Sequence, residues 1–198
     1  MGKIKLPHAS GNSMSIAAPA TNPASDLELK LPATVGTAGQ VLSVDGSGNL
    51  VWTDNTPMWL VKLSSNYSHT STNTWVTAPL ATETFDTDSA FNTSTYTFTV
   101  PSGKGGKYWL YYNQEVQDNP DDGENIQGRI VKNGSAIDYS YTFAVSPASN
   151  KTTNVGKGWV ETLAAGDTLT MGLYHHEGGT VTYSANQTYF GGYRLIGG

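Results

Sequence analysis

Tyr108-Trp109-Leu110-Tyr111-Tyr112 is the stretch that decides the fold class of this chain. Successive residues of a strand point to opposite faces, so Tyr108, Leu110 and Tyr112 share one face. Trp109 and Tyr111 share the other. A strand that is aromatic on both faces has to be covered on both. We therefore predict that one face packs in the domain core and that a second surface covers Trp109 and Tyr111.

The segments on both sides of this stretch also alternate apolar and polar residues. Apolar side chains occupy every second position at Trp59, Val61 and Leu63, at Tyr96, Phe98 and Val100, and at Leu169, Met171 and Leu173. Asn133-Gly134 lies between two apolar pairs, which is a strong hairpin signal, and residues 193–196 fit a final strand. Helical periodicity is nearly absent. We therefore predict an all-β fold of roughly eight main strands, arranged as an antiparallel jelly-roll sandwich.

The composition excludes several classes of partner and site. The 198 residues include 14% charged residues and carry a net charge of -5, which leaves no basic stripe for nucleic acid or an anionic membrane. There is no cysteine, so disulfides, thiolate zinc sites and thiol nucleophiles are excluded. No window approaches the ~20 apolar residues of a membrane span, and residues 1–10 lack the apolar stretch of a secretory signal. We expect a protein that is neither inserted in a membrane nor exported.

Aromatic residues divide the chain into two zones. Every tyrosine and phenylalanine, and all the tryptophans except Trp52, follow residue 57. We predict an N-terminal arm at residues 1–56 and a jelly-roll domain at residues 57–198.

The arm contains two strand-like patterns. Leu27, Leu29 and Leu31 alternate with charged residues, which predicts a strand that ends at Pro32. The apolar runs 41–44 and 50–52 flank turn residues and predict a hairpin. Because an isolated hairpin is marginal in water, we expect this arm to pair with neighbouring subunits or to dock on a partner surface. The predicted docking side chains are Leu27, Leu29, Leu31, Val41, Leu42 and Trp52.

A set of aromatic, glycine and turn residues follows a fixed order in the predicted domain. The set consists of Phe85-Asp86, Phe98, Pro101, Gly106, Tyr108, Leu110, Lys132-Asn133-Gly134, Leu163, Gly166-Asp167, Leu169, Leu173, Phe190, Gly192, Tyr193 and Leu195. In order and spacing it resembles the complement globular-head and tumour-necrosis-factor-like jelly rolls. The resemblance implies a homotrimer, because domains of that superfamily bury an aromatic sheet face around a threefold axis. It makes Trp109 and Tyr111 the expected trimer interface.

This sequence departs from that family in two respects. The loop from Pro101 to Gly106 is longer than the family pattern, and no collagen Gly-x-y repeat precedes the domain. The secreted immune roles of the family are therefore not carried over.

The arm has a resemblance of its own, which covers about residues 13–52. It combines Ala18-Pro19 and Asn22-Pro23 with Leu31-Pro32, the run GTAGQVL at residues 36–42 and DGSGNL at residues 45–50. This pattern resembles segments of bacteriophage tail-fibre and other virion appendage proteins. The resemblance implies a virion protein assembled in the host cytoplasm, with the arm docked on other virion structural proteins.

Two positions on the particle remain open. A tail fibre or spike would bind a host surface glycan or protein, whereas a head fibre would decorate the capsid without a receptor role. Loops carry recognition on rigid scaffolds, so the predicted receptor contacts are Asp118, Asp121, Asp122 and Glu124. An alternative of another class is a free carbohydrate- or protein-binding module of the complement-head type.

Catalytic and metal-binding patterns are weak. His175 and His176 are consecutive strand residues, so they point to opposite faces and cannot share one metal within a subunit. The acidic loop at residues 117–125 has oxygens that suit calcium, but Pro120 and Arg129 occupy positions where an EF-hand needs Asp or Asn and Glu. We expect a solvated loop there, no cofactor, and a protein that is not an enzyme.

Overall fold

The computed structural model describes residues 3–7, 10–11, 13–17, 20–21, 23–24, 28–37, 40–45, 47–53, 57–117, 125–146 and 152–195. The chain forms two compact units, Met1–Asn55 and Thr56–Gly198.

The described residues of the N-terminal unit form two antiparallel hairpins. Strands β1 (Lys3–Pro7) and β2 (Ser13–Ala17) form the first. Strands β3 (Val41–Val44) and β4 (Leu50–Thr53) form the second, which confirms the predicted hairpin. The first hairpin was not predicted, although KIKLP and SMSIA both alternate apolar and polar residues.

The turn between β3 and β4 is built around one carboxylate. Asp45 accepts hydrogen bonds from the backbone N–H groups of Ser47 at 2.8 Å and Asn49 at 2.9 Å, and from the Asn49 amide. The side-chain hydrogen bond from Asn49 is the largest cause of a lowered pKa at Asp45. Gly48 has a φ of +83°, a conformation that glycine adopts without strain.

The predicted strand at Leu27, Leu29 and Leu31 is wrong for Leu29 and Leu31, the two of these residues that the structure describes. Leu27 lies outside the described residues. In residues 28–31 the backbone makes one parallel bridge, between Lys30 and Asn49, and Leu29 and Leu31 are exposed. Alternation marks a face that can be buried, but strand geometry also requires a partner along the whole segment. Here the neighbour is the end of a turn, which pairs at one residue only.

The C-terminal unit is a sandwich of two antiparallel sheets. Its strands are β5 (Met58–Lys62), β6 (Tyr67–His69), β7 (Val76–Thr77), β8 (Thr82–Asp86), β9 (Phe91–Asn92), β10 (Thr97–Thr99), β11 (Gly106–Gln117), β12 (Asn125–Lys132), β13 (Ser135–Ala136), β14 (Thr142–Val145), β15 (Thr153–Leu163), β16 (Thr168–His175), β17 (Val181–Tyr183) and β18 (Tyr189–Arg194). Within the described ranges the helical segment is one 3-10 turn, Asp138–Ser140. The predicted all-β fold is therefore confirmed.

Each sheet has seven strands among the described residues. Sheet 1 has the order β6-β17-β11-β18-β5-β8, and β15 pairs with the other edge of β11. Sheet 2 has the order β13-β12-β16-β10-β9, with β14 added at β12 and β7 at β16. Consecutive neighbours that are distant in sequence, such as β11 and β18, indicate crossing connections rather than a simple meander.

The core lies between the two sheets and is centred on Trp59. Its ring stacks on Phe98 with a centroid distance of 3.6 Å and meets Phe190 edge-on at 5.6 Å. Burying each large apolar side chain contributes about 1.5–3 kcal/mol. Gly192 is required here, because a Cβ at this position would lie 2.7 Å from Trp59 Cη2 and 2.9 Å from Leu110 Cδ2.

The Asn133-Gly134 hairpin is confirmed between β12 and β13. The two residues have φ values of +51° and +79°, as a type I′ turn needs. The Asn133 side chain also donates to Asp167 Oδ1 at 2.8 Å and accepts from the Thr168 N–H at 2.8 Å, which ties this turn to the next one. This side-chain hydrogen bond is the first cause of a lowered pKa at Asp167.

Most of the predicted alternation is confirmed, with two differences. Tyr96 is not in a strand: its φ is +56° and β10 begins one residue later, because the chain turns there between β9 and β10. The last strand begins at Tyr189 rather than at Tyr193, because it pairs with β11 from Asn113 to Tyr108. Ile196 lies outside the described residues.

Candidate functional site

The outward side of sheet 1 carries a cluster of apolar and aromatic side chains. Directly opposed residues of an antiparallel pair lie on the same face. Trp109 opposes Val160 on β15 and Tyr193 on β18, and Tyr193 opposes Met58 on β5. We call this surface the aromatic face; its members are Met58, Leu60, Phe85, Trp109, Tyr111, Val160, Tyr189 and Tyr193.

Glycines let two rings of the aromatic face lie against the backbone. A Cβ at position 158 would lie 2.7 Å from Trp109 Cζ2, and a Cβ at position 191 would lie 2.7 Å from the Tyr111 hydroxyl. Both distances are shorter than any ordinary contact. Gly158 and Gly191 therefore allow the rings of Trp109 and Tyr111 to lie against the backbone of the neighbouring strands.

The aromatic face is half exposed although the core beneath it is complete. Tyr108, Leu110 and Tyr112, on the inward side of the same strand, are at most 2% exposed. On the outward side Val160 is 47% exposed and Tyr193 is 42% exposed. Burial raises the pKa of Tyr111 above its usual value, and Tyr189 and Tyr193 act in the same direction.

The structure thus places Trp109 and Tyr111 together on one outward face, as predicted from their spacing. Sequence reasoning did not find Val160, Met58 and Phe85, because their place on the same face as Trp109 depends on strand order. Their role as a trimer interface stays a prediction.

One end of the core contains polar side chains. His69 on β6 and His175 on β16 meet edge-to-face with ring centroids 4.5 Å apart, and they are 2% and 0% exposed. Neither ring nitrogen of His69 has a hydrogen-bond partner among the described residues. Burial, with a smaller contribution from His175, lowers the pKa of His69 to about 4. Burial is also the largest cause of the lowered pKa of His175.

His175 is buried and His176 is exposed, so the two do point to opposite faces as predicted. The described residues contain no group of three or more His, Asp or Glu side chains arranged to hold a metal ion. Asp118, Asp121, Asp122 and Glu124 lie outside the described residues, as does the whole acidic segment 118–124, so the structure tests neither the receptor contacts nor the solvated loop expected there. Both stay predictions. In the described part of the chain, no helix has the length and apolar character needed to cross a membrane.

The predicted docking residues of the N-terminal unit lie on and near its second hairpin. Val41 and Leu42 on β3 are 49% and 47% exposed. Trp52 on β4 is half buried: its indole N–H donates to the Thr34 carbonyl at 2.9 Å, and its ring covers Gly36. Leu29 and Leu31 are exposed outside any strand. The unit therefore presents apolar side chains to its surroundings, while their docking role stays a prediction.

Comparison with known proteins supports the fold. No protein-family model and no curated protein matches this chain. Among solved structures, the globular domain of zebrafish complement 1qA protein is similar with a TM-score of 0.50 and 15% identity, covering 71% of this chain and 98% of that one. Murine APRIL at pH 5.0 has a TM-score of 0.54 at 12% identity, with 71% and 99% coverage. Eiger TNF from S. frugiperda has a TM-score of 0.54 at 13% identity, with 72% and 92% coverage.

At these identities the likeness shows the fold alone. The C-terminal unit has the jelly-roll fold of the complement-head and tumour-necrosis-factor-like domains, as the sequence predicted.

Proposed function

We propose that this protein is a homotrimeric structural protein of a bacteriophage particle, of the tail-fibre or head-fibre kind. Residues 1–56 dock on another virion protein, and the jelly-roll domain projects from the particle. The observation that carries the proposal is the half-exposed aromatic face centred on Trp109 and Tyr111.

The aromatic face supports self-association for an energetic reason. Its residues are not needed to complete the core, because the inward side of sheet 1 is already buried against sheet 2. Large contiguous apolar patches on a soluble domain mark interaction sites. The jelly-roll resemblance implies that identical copies supply the cover, with three aromatic faces meeting around a closed axis.

The N-terminal unit supports attachment to a particle. Val35, Val44 and Leu31 are 90%, 60% and 77% exposed. Exposed apolar side chains on marginal hairpins are stabilised when another chain covers them. The phage-like pattern of residues 13–52 supports a virion protein as that chain.

The trimer is tested by sedimentation of the full chain. We expect a mass of three chains at micromolar concentration, and dissociation when Trp109→Lys places a charge in the middle of the aromatic face. Thr99→Lys is the matched control, because Thr99 is an exposed strand residue of sheet 2. A compact monomer of the wild-type chain would contradict the trimer, and equal dissociation by both variants would contradict the aromatic face as its interface.

The particle role is tested on purified virions. Mass spectrometry and an electron-microscopy map should place three copies in each projecting appendage, on the tail or on the head. Isolated protein added at saturating dose should then block adsorption if the protein is a receptor-binding fibre, and leave adsorption unchanged if it is a capsid decoration. Absence of the protein from purified particles would overturn the virion proposal.

A second candidate is a free binding module, which the likeness to the complement 1qA globular domain favours. That reading predicts a protein recovered outside the particle and a trimer that does not need residues 1–56. Purified virions again discriminate the two proposals.

A further inference from the structure

Arg129 on the outward side of sheet 2 is surrounded by aromatic rings. Its Cζ lies 3.9 Å from the centroid of the Trp75 ring. Trp75 in turn lies 5.1 Å from Tyr174 and 6.1 Å from Tyr141, measured between ring centroids. The side chain therefore has one flat face of its guanidinium against an indole, in a cation–π contact. This is the sheet that does not carry the aromatic face.

Sequence and register build this arrangement. Arg129 on β12 opposes Gly172 on β16, and the next outward pair is Gln127 with Tyr174. A Cβ at position 172 would lie 3.2 Å from Arg129 Cγ and 3.2 Å from Trp75 Cε3. Glycine at this position lets the arginine stem lie along the sheet under the indole. The guanidinium is thus held in place by packing.

The charge of Arg129 has no carboxylate partner in the described part of the chain. The ion pairs of the jelly-roll domain that the structure describes join Lys132 to Glu161 and to Asp167. The Nε of Arg129 is buried and has no hydrogen-bond partner among the described residues. A buried donor without a partner is costly, more so on a charged group. Burial also lowers the pKa of Arg129, in keeping with an uncompensated cation.

A small cavity opens beside Arg129. Its volume is about 200 Å³, and it is lined by Arg129, Ala136, Ile137, Asp138 and Tyr141. Pockets for drug-sized ligands are roughly 300–1,000 Å³, so this one suits a single ring. Its walls combine one fixed cation, one carboxylate and one aromatic side chain with small apolar groups. Such walls suit a ligand that carries both an anionic group and hydroxyl groups.

We propose that Arg129, Tyr141 and Asp138 form a binding site for a carboxylate-bearing saccharide, of the uronic- or sialic-acid class. The edge of the guanidinium donates two parallel hydrogen bonds to the planar carboxylate. Asp138 accepts from sugar hydroxyls, and Tyr141 packs on the ring. A phosphate dianion suits the site less well, because one guanidinium balances one ligand charge and the repulsion by Asp138 is greater for two charges than for one.

The surface next to the cavity suits further sugar rings. Phe143 and Val145 lie on the outward side of β14 and are 63% and 50% exposed, and Tyr141 lies two residues before Phe143, just outside the strand. Two residues along an extended chain span about 7 Å. Tyr141, Phe143 and Val145 therefore form a row of large, mostly apolar side chains that extends away from Arg129. The proposal deepens the host-contact half of the proposed function and rests on it for the origin of the saccharide.

The site is tested by titrating the full chain with sugar acids, followed by NMR. Glucuronic acid and N-acetylneuraminic acid are the probes, glucose is the neutral control, and inorganic phosphate and a glutamate-rich peptide are the competitors. We expect a dissociation constant on the order of 1 mM for an acid and at least tenfold weaker binding of glucose. Equal binding of acid and neutral sugar would overturn the proposal, as would tighter binding of phosphate or of the peptide.

Variants separate recognition from folding. Arg129→Lys keeps the charge but loses the planar fork, and should weaken acid binding at least tenfold. Asp138→Asn keeps an acceptor oxygen and removes a repulsive charge, so it should change acid binding less and leave the fold unchanged. Lys107→Gln is the control, because Lys107 is an exposed cation on sheet 1. Binding unchanged in Arg129→Lys overturns the site. Sedimentation of the same samples keeps the two proposals apart, since a monomer that binds sugar acids refutes only the trimer, and a trimer that binds none refutes only this site.

Discussion

Acidification should lower the free energy of unfolding of the jelly-roll domain through protonation of His69. The pKa of His69 is lowered from 6.5 to about 4 in the folded domain. A histidine whose folded pKa is lowered binds fewer protons folded than unfolded, so its contribution is fully present above pH 6.5 and is lost as the pH falls toward 4. At pH 4.5 the loss is about 2.5 kcal/mol, a large part of the roughly 5–15 kcal/mol that holds a domain folded.

The groups around His69 do not reverse this sign. His175 lies against its ring, and its pKa is lowered too, so it acts in the same direction. Tyr67 and Tyr183 flank the pair as rings, and burial raises the pKa of Tyr183 further above the acid range. Glu177, whose charge acts on His175, opposes the shift there without cancelling it. Elsewhere in the domain, the pKa of Asp167 is lowered from 3.8, so what Asp167 contributes to stability is lost only at more acidic pH.

The assay is urea unfolding at pH 7.5, 6.5, 5.5 and 4.5, followed by tryptophan fluorescence at one fixed protein concentration. We expect the free energy of unfolding to fall by about 2.5 kcal/mol or more from pH 7.5 to 4.5. His69→Gln should flatten this pH dependence, whatever its effect at neutral pH. His176→Gln should change it much less, because His176 is exposed and is the smallest of the causes that act on the pKa of His175. A stability that is flat between pH 6.5 and 4.5, or an unaltered slope in His69→Gln, would refute the reasoning.

Three further outcomes are expected. Gly192→Ala should lower the free energy of unfolding by about 1–3 kcal/mol in urea melts, because the new methyl group overlaps Trp59, whereas Gly179→Ala, which meets open space, should have little effect. Gly134→Ala should cost about 1 kcal/mol in the same melts, because position 134 has a φ of +79°. Trp109→Lys should lower the sedimenting mass while the circular dichroism of the domain is retained, since Trp109 lies outside the core.

The sequence predicts the jelly-roll domain well because its signals are local. Alternation at 59–63 and 108–112 and the Asn133-Gly134 turn each depend on a few neighbouring residues, and all appear in the structure. The strand predicted at Leu29 and Leu31 was wrong because a strand also needs a neighbouring strand to pair with, and alternation of apolar residues does not supply one. Tyr96 alternates with its neighbours, but the chain turns there.

The candidate sites were predicted in part for the same reason. The outward position of Trp109 and Tyr111 follows from strand periodicity alone. The other members of the aromatic face come from four different strands, so strand order was needed to find them. Arg129 and Trp75 are distant in sequence and meet only because β7 pairs with β16 beside β12. No spacing rule links them.

The two glycines beneath Trp109 and Tyr111 fix the height of that surface above the sheet. The rings rest on backbone, so their elevation is set by the strands and not by rotamers. A single methyl at position 158 would fall about 1 Å short of comfortable carbon–carbon separation. The Trp109 indole would have to move away from the sheet, and a protein packed on it would change its orientation. In the proposed trimer, substitution of Gly158 is therefore a way to change the angle at which copies meet while the hydrophobic interior stays as it is.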